Sequence, residues 1–233
     1  MDGIDRPLRL ESRTIGTQRV RAQAAVAGLC GRVRPIRRVD EHTLVEAVVL
    51  ALGVAVEIRD RNTKGHCERL AVHAAAAGRF LGLSADECGT LYRGGFLHDL
   101  GKIAIPDRIL LKPGPLTPEE TSHMQLHTLI GDALCQRLPV LHRVRPIVRS
   151  HHERLDGTGY PDRLKGDRIP LLAQIIGIAD VYDAITSVRP YKSAQSSALA
   201  CEILTAEAKK GWRQRDLVDG FIQAVATSAL KAA

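Results

Sequence analysis

From Glu41 onward the chain alternates long apolar-periodic stretches with short polar or Gly/Pro-containing breakers. The period is helical throughout, with no sustained two-residue alternation of apolar and polar positions. This pattern predicts helices over residues 41–62, 65–83, 85–98, 118–138, 139–154, 171–188, 193–210 and 216–231. Ser84 stands where an N-cap is needed. Thr117-Pro118-Glu119-Glu120 reads as a capping box with proline at the first helical position. Between them, Gly101, Pro106, Pro113, Gly114 and Pro115 mark an irregular stretch, and residues 156–170 are a Gly-, Pro- and Asp-rich loop. The expected fold is all-α, a single helical bundle of about seven or eight helices.

Composition narrows the class. With 233 residues, 45% hydrophobic and 25% charged, the chain can bury one good core but not two. One Trp, four Tyr, three Phe and 11 Pro exclude collagen-like, disulfide-scaffold and disordered classes. No run of 18 apolar residues exists, because Glu46 interrupts the greasiest stretch and Glu57 with Arg59 closes it. The first residues are polar and Arg-rich, so neither a membrane span nor a secretory leader is expected. Cys30, Cys67, Cys88, Cys135 and Cys201 are an odd set without C-x-x-C spacing, which reads as reduced thiols in the cytoplasm. The net charge of +7 is uneven: residues 1–40 hold nine Arg against four acids. That segment has no aromatic residue to stack on bases and no DNA-binding motif. It is therefore expected to be a basic linker or tail ahead of a helical domain at 41–233, and nucleic acid is not an expected partner.

The candidate chemistry lies in the company the histidines keep. His98-Asp99 precedes Gly101-Lys102, and His151-His152 precedes Glu153-Arg154, while His66, His127 and Asp180 lie on other predicted helices. Imidazole and carboxylate suit a borderline divalent ion such as Fe, Mn, Co, Ni or Zn. Adjacent ligands on a helix point about 100° apart, so one pair can reach two neighbouring ions. A lone helical histidine is commonly a packing or surface residue, and His42, His73 and His142 are assigned to that class. His123 and His127 share a helix face, and spacing does not choose between them.

These residues fall into recognisable motifs. His98-Asp99-Leu100-Gly101-Lys102, then Ile105-Pro106-Asp107 and Lys112-Pro113-Gly114, resemble the HD phosphohydrolase superfamily. His151-His152-Glu153-Arg154-x-Asp156-Gly157-x-Gly159-Tyr160-Pro161 resembles the second signature of its HD-GYP branch. Asp180-x-x-Asp183-Ala184 and Arg189-Pro190-Tyr191-Lys192 continue the match.

The resemblance implies a helical bundle whose metal ions cleave cyclic di-GMP to linear pGpG, and onward to GMP in some members. It implies metal ligands at His66, His98, Asp99, His127, His151, His152 and Asp180, with Asp99 bridging, and so favours His127 over His123. Two ions about 3.5–4 Å apart would activate a water and hold the phosphate. Lys102 resembles the family's phosphate-binding lysine, and Arg189 and Lys192 its dinucleotide contacts. Tyr160 is presented from a stiff loop, either lining the substrate pocket or anchoring the loop. Glu153, Arg154, Asp156 and Asp183 are expected to orient the histidines. Members with a third metal carry a Glu four residues before the first histidine. Here that position is Asn62, so two ions are expected, Fe or Mn first, with Co, Ni or Zn also suited. A GGDEF-domain protein, or an upstream sensor or receiver, is the partner type the resemblance suggests, and it is compatible with a homodimer. Two other readings stand beside a cyclic di-GMP phosphodiesterase: a hydrolase of another cyclic dinucleotide or phosphate ester, and a non-catalytic nucleotide-sensing or GGDEF-interaction module.

Overall fold

The computed structural model describes residues 41–60, 65–188 and 193–232, and every regular element among them is a helix. In chain order these are α1 (Glu41–Arg59), α2 (His66–Phe80) and α3 (Ala85–Leu97), followed by a 3₁₀ turn (Leu100–Ala104) and the one-turn α4 (Asp107–Leu110). Next come α5 (Pro118–Gln136), a 3₁₀ turn (Pro139–Leu141) and α6 (Arg145–Ser150). A 3₁₀ turn (Gly166–Arg168) precedes α7 (Leu171–Thr186), α8 (Ser197–Lys209) and α9 (Arg215–Ala232). Residues 45–233 pack as one compact unit. The basic segment 1–40 lies outside the described residues.

The all-α expectation holds, with nine α-helices among the described residues. The ninth, α4, falls in the stretch expected to be irregular. Both predicted capping boxes form: Ser84 with Glu87, and Thr117 with Glu120 behind Pro118. α2 is capped differently. Gly65 precedes it with φ 72° and offers no side chain, so Glu57 of α1 receives the backbone N–H of His66 at 3.0 Å and of Cys67 at 3.2 Å. A carboxylate facing a helix N-terminus gains charge-assisted bonds and a favourable dipole.

The continuous helix predicted over 139–154 is not observed. Proline lacks the N–H a helix interior needs, and its ring clashes with the carbonyl four residues back. Pro146 therefore belongs to a first turn, so the chain makes a short 3₁₀ turn and restarts as α6 only at Arg145. His151 and His152 come just after α6 ends rather than inside a long helix.

α2 and α3 pack closely because small residues face one another: a Cβ on Gly95 would lie 2.5 Å from Ala71 Cα. The main core joins Leu70 of α2, Leu91 of α3, Ile147 of α6, Ile176 of α7, Leu204 of α8 and Phe221 of α9. A second cluster, including Val56, Leu97, Cys135 and Val148, binds α1, α3, α5 and α6. Phe221 is 1% exposed and meets the Tyr182 ring edge-on at 5.4 Å. Phe221→Ala should cost about 3–5 kcal/mol by leaving a void in the main core, read as a lowered midpoint in urea unfolding.

Candidate metal centre

Five helices deliver the histidines and acids to one place, mostly from their ends. His66 is the first residue of α2, and His98 caps the C-terminus of α3. Asp99 precedes the 3₁₀ turn that carries Lys102. His127 lies within α5, His151 and His152 follow α6, and Asp180 lies on α7. All seven expected ligands fall into two groups: His66, His98 and Asp180, and Asp99, His127, His151 and His152. His123 is exposed and bonds the Glu119 carbonyl of its own helix, so of the two histidines that spacing left open, His127 is the one in the cluster. His73 packs against Tyr182 and Phe221, as its assignment to packing required.

Asp99 links the groups. Its Oδ2 lies 3.2 Å from His98 Nε2, and its Oδ1 lies 3.2 Å from His127 Nε2 and 4.0 Å from His151 Nε2. Across the first group, His66 Nε2 is 3.4 Å from His98 Nε2 and 3.6 Å from Asp180 Oδ1. Across the second, His127 Nε2 is 3.5 Å from His151 Nε2. The His98–Asp99 pair splays between the two groups as expected. His151 and His152 do not: they lie beyond the helix end, their rings 4.0 Å apart, and serve one group together.

Gly101 makes the approach of Asp99 to α5 possible, since a Cβ there would lie 2.6 Å from Gly131 N and still nearer the His127 carbonyl. Gly177 does the same for α7, where a Cβ would meet the His151 carbonyl at 2.5 Å.

Hydrogen bonds on the far side of His66, His98, His127 and His151 fix the orientation of these rings. His98 Nδ1 donates to the Gly95 carbonyl at 2.9 Å, and His127 Nδ1 to Met124 at 2.8 Å. His151 Nδ1 donates to the Val148 carbonyl at 3.0 Å, and His66 Nδ1 to Asp183 Oδ2 at 2.7 Å. A carbonyl can only accept, so Nδ1 of His98, His127 and His151 carries a proton, and the neutral His127 and His151 rings turn an Nε2 lone pair inward. The facing Nε2 lone pairs of His127 and His151, 3.5 Å apart, repel unless a cation sits between them. Asp99 Oδ1 is buried and accepts no hydrogen bond. Converging lone pairs and an orphaned carboxylate oxygen are what a divalent ion requires of its ligands, so the donor set fits.

Charges are sorted the same way. Burial pulls His151 down to about 3, helped by positive charge at His98, and burial likewise lowers His127 and His152. These rings stay neutral and able to ligate. Burial also opposes charging of His98, but Asp99 beside it raises the ring to about 9. Burial alone would raise Asp99; Lys102 and His98 instead hold it well below the usual carboxylate range. Lys102 is pinned between acids, its Nζ 2.8 Å from Asp99 Oδ2 and 2.9 Å from Asp60 Oδ2.

Tyr160 stacks on His152, ring centroids 4.7 Å apart at 29°. Of the four residues expected to orient histidines, Asp183 does so. Glu153 instead accepts the backbone N–H of Asp162 and Leu164, Arg154 lies 3.8 Å over the Trp212 ring, and Asp156 bonds Thr158. These three shape the loop. Asn62, Arg189 and Lys192 lie outside the described residues.

The sequence reading missed the acids and the arginine of α1. Besides Glu57 and Asp60, Arg59 donates to the carbonyls of Lys102 at 2.8 Å and Ile103 at 2.7 Å, holding the turn that carries Lys102. No motif marks them, because their partners are backbone groups or lie more than forty positions away.

Comparison with known proteins agrees with this geometry. The family described as HD domain matches residues 54–217. The cyclic di-GMP phosphodiesterase response regulator RpfG of Xanthomonas campestris is 44% identical over 67% of this chain and 42% of its own length. A cyclic di-GMP phosphodiesterase of Thermotoga maritima is 43% identical over 63% of this chain and 40% of its own. A 3'3'-cGAMP-specific phosphodiesterase of Vibrio cholerae is 38% identical over 72% of this chain and 33% of its own. The chain thus spans about two fifths or less of the length of these curated relatives. Among solved structures, an HDG"Y"P protein of Bdellovibrio bacteriovorus shares the fold with a TM-score of 0.59 at 15% identity, covering 91% of this chain and 80% of that one. The HD domain of the L. monocytogenes phosphodiesterase PgpH, in complex with cyclic-di-AMP, gives 0.57 at 17% identity over 78% and 95%.

Asp183 bonds both His66 and Arg69, which hold its carboxyl well below the usual carboxylate range although burial would raise it. Asp183→Asn should weaken binding of Mn²⁺ by about 10–100-fold, measured by calorimetric titration of metal-free protein. Unchanged affinity would mean the His66 ring needs no such support.

Proposed function

The chain belongs to the HD domain family, and from that premise we propose that it is a metal-dependent phosphodiesterase opening cyclic di-GMP to linear pGpG. The observation that carries this reading is the shared carboxylate: Asp99 stands between two inward-facing histidine groups, with Oδ1 buried and accepting no hydrogen bond. In this reading His66, His98 and Asp180 hold one ion and His127, His151 and His152 the other, with Asp99 between them. Two ions are expected, Fe or Mn, with Co, Ni or Zn also accepted by such ligands. When bound, they would supply Lewis acidity toward the phosphodiester and an activated water as nucleophile.

The chain's own residues do the rest. The His127 and His151 imidazoles are neutral and ready to ligate near neutral pH, because burial disfavours their charged forms and their Nδ1 protons face backbone carbonyls. Lys102 adds a buried, fixed positive charge beside Asp99, placed to meet a phosphate oxygen with the ammonium hydrogen its two carboxylates leave over. Tyr160, on the loop beside His152, would pack against the dinucleotide. Arg189 and Lys192 would contact it from the segment after α7.

A second substrate, 3'3'-cGAMP, is favoured by the relatives specific for it, since metal ligands read phosphate and not base. We place the enzyme in the cytoplasm, where Cys67, Cys88, Cys135 and Cys201 would stay free thiols as they are here. No helix among the described residues is long and apolar enough to cross a membrane. A GGDEF-domain protein or an upstream sensor or receiver would supply its input, and a homodimer is compatible with this reading.

Asp99→Ala should bring hydrolysis of cyclic di-GMP to background in a product assay on metal-loaded protein. Turnover equal to wild type would overturn the reading. Metal analysis of anaerobically purified protein should give two ions per chain, and three would contradict the role given to Asn62.

A further inference from the structure

Beside the metal centre lies a groove of which the mechanism above uses only Tyr160. It encloses about 500 Å³ between α5, which contributes Gln125, Leu126 and Leu129, and the loop after α6, which contributes Tyr160, Pro161 and Arg163. Leu126 and Leu129 are exposed, which is an apolar cost unless something flat lies on them. Tyr160 belongs to both places: its ring stacks on His152 of the metal cluster and also walls the groove. A ligand whose phosphate reaches the metal ligands can therefore extend into the groove without leaving contact with the protein.

Arg163 gives the groove its chemistry. Its φ is 54°, making it the non-glycine residue with positive φ among the described residues. Glycine would take that conformation without penalty, whereas an L side chain there is strained. The conformation is imposed from both sides, since Glu153 accepts the N–H of Asp162 at 2.7 Å and of Leu164 at 3.1 Å. The neighbouring arginines are occupied: Arg149 bonds Asp132 and Asp162, and Arg154 covers Trp212. The Arg163 guanidinium is exposed on the groove and has no hydrogen bond or ion pair among the described residues.

Resting on the phosphodiesterase reading, we propose that this groove is a base subsite for one guanine of the cyclic dinucleotide, and that Arg163 determines its specificity by binding the O6/N7 edge. Apolar walls with a polar rim suit a flat base. A guanidinium has donors only. Guanine presents two acceptors on that edge, whereas adenine presents N7 beside an N6 donor, which a guanidinium cannot match.

The test uses wild type and Arg163→Gly, both metal-loaded, against cyclic di-GMP, 3'3'-cGAMP and cyclic di-AMP, with kcat, KM and equilibrium Kd measured for each. Arg163→Gly keeps the backbone conformation and removes the guanidinium. Its melting temperature should equal or exceed that of wild type, while the preference for cyclic di-GMP over cyclic di-AMP falls by about ten-fold, chiefly through KM and Kd. Arg163→Lys should not restore the preference, because an ammonium lacks the planar fork. A preference within about two-fold of wild type in Arg163→Gly, or a wild type that prefers adenine, would overturn the proposal. If wild type binds the dinucleotides but hydrolyses none, the phosphodiesterase reading fails alone, and the Kd ratio still decides the role of Arg163. If wild type binds none of them, both fail.

Discussion

The site depends on a single carboxylate reaching two ways. Asp99 places Oδ2 against His98 and Lys102 and Oδ1 against His127 and His151. Removing so many titratable groups from water is costly unless each finds a partner. Most do within the protein, but Oδ1 does not, and the facing Nε2 atoms of His127 and His151 repel. The bundle therefore holds a cluster whose electrostatic balance is incomplete on its own. A cation bound there completes it, which ties metal affinity to folding free energy.

The geometry is economical because the ligands stand mostly at helix ends. The last carbonyls of a helix lack intrahelical partners. His98 and His151 use them, each turning its Nδ1 back onto the final turn of its own helix, at Gly95 and Val148. One contact thus satisfies an orphan acceptor, fixes the tautomer and aims the opposite nitrogen inward. His66, at a helix start, has no such carbonyl behind it and takes Asp183 instead, while Glu57 of α1 caps the backbone beneath it. Each ring is held by whichever group its position along a helix leaves available.

This explains what the sequence made legible. Apolar period and capping signals located seven helices, and the boxes at Ser84 and Thr117 formed as their residues require. The seven clustered side chains were legible from their motifs, although spacing alone could not separate His123 from His127. The helix drawn over 139–154 failed where a local rule was set aside: Pro146 cannot sit inside one, so His151 and His152 share a group instead of splitting between two. Long-range pairings were not legible. Asp60 meets Lys102, and Arg59 meets the backbone of the same turn, across more than forty residues with no local signal in either segment. Only folding brings them together.

α1 then has a role its own pattern does not suggest. Its last turn supplies Glu57 to the start of α2 and Arg59 to the 3₁₀ turn, and the next residue, Asp60, meets Lys102, three charged contacts onto three parts of the site. None touches a ring nitrogen. Buried or partly buried charge-assisted bonds are short-ranged and geometrically demanding, so a displacement of this turn would break several together. Rigid helices cannot absorb such a displacement locally, and the cost would appear as a shift of His66 and Lys102 relative to Asp99. The precision of the metal cluster is therefore set partly from outside it, by a helix end that holds backbone and a lysine in place.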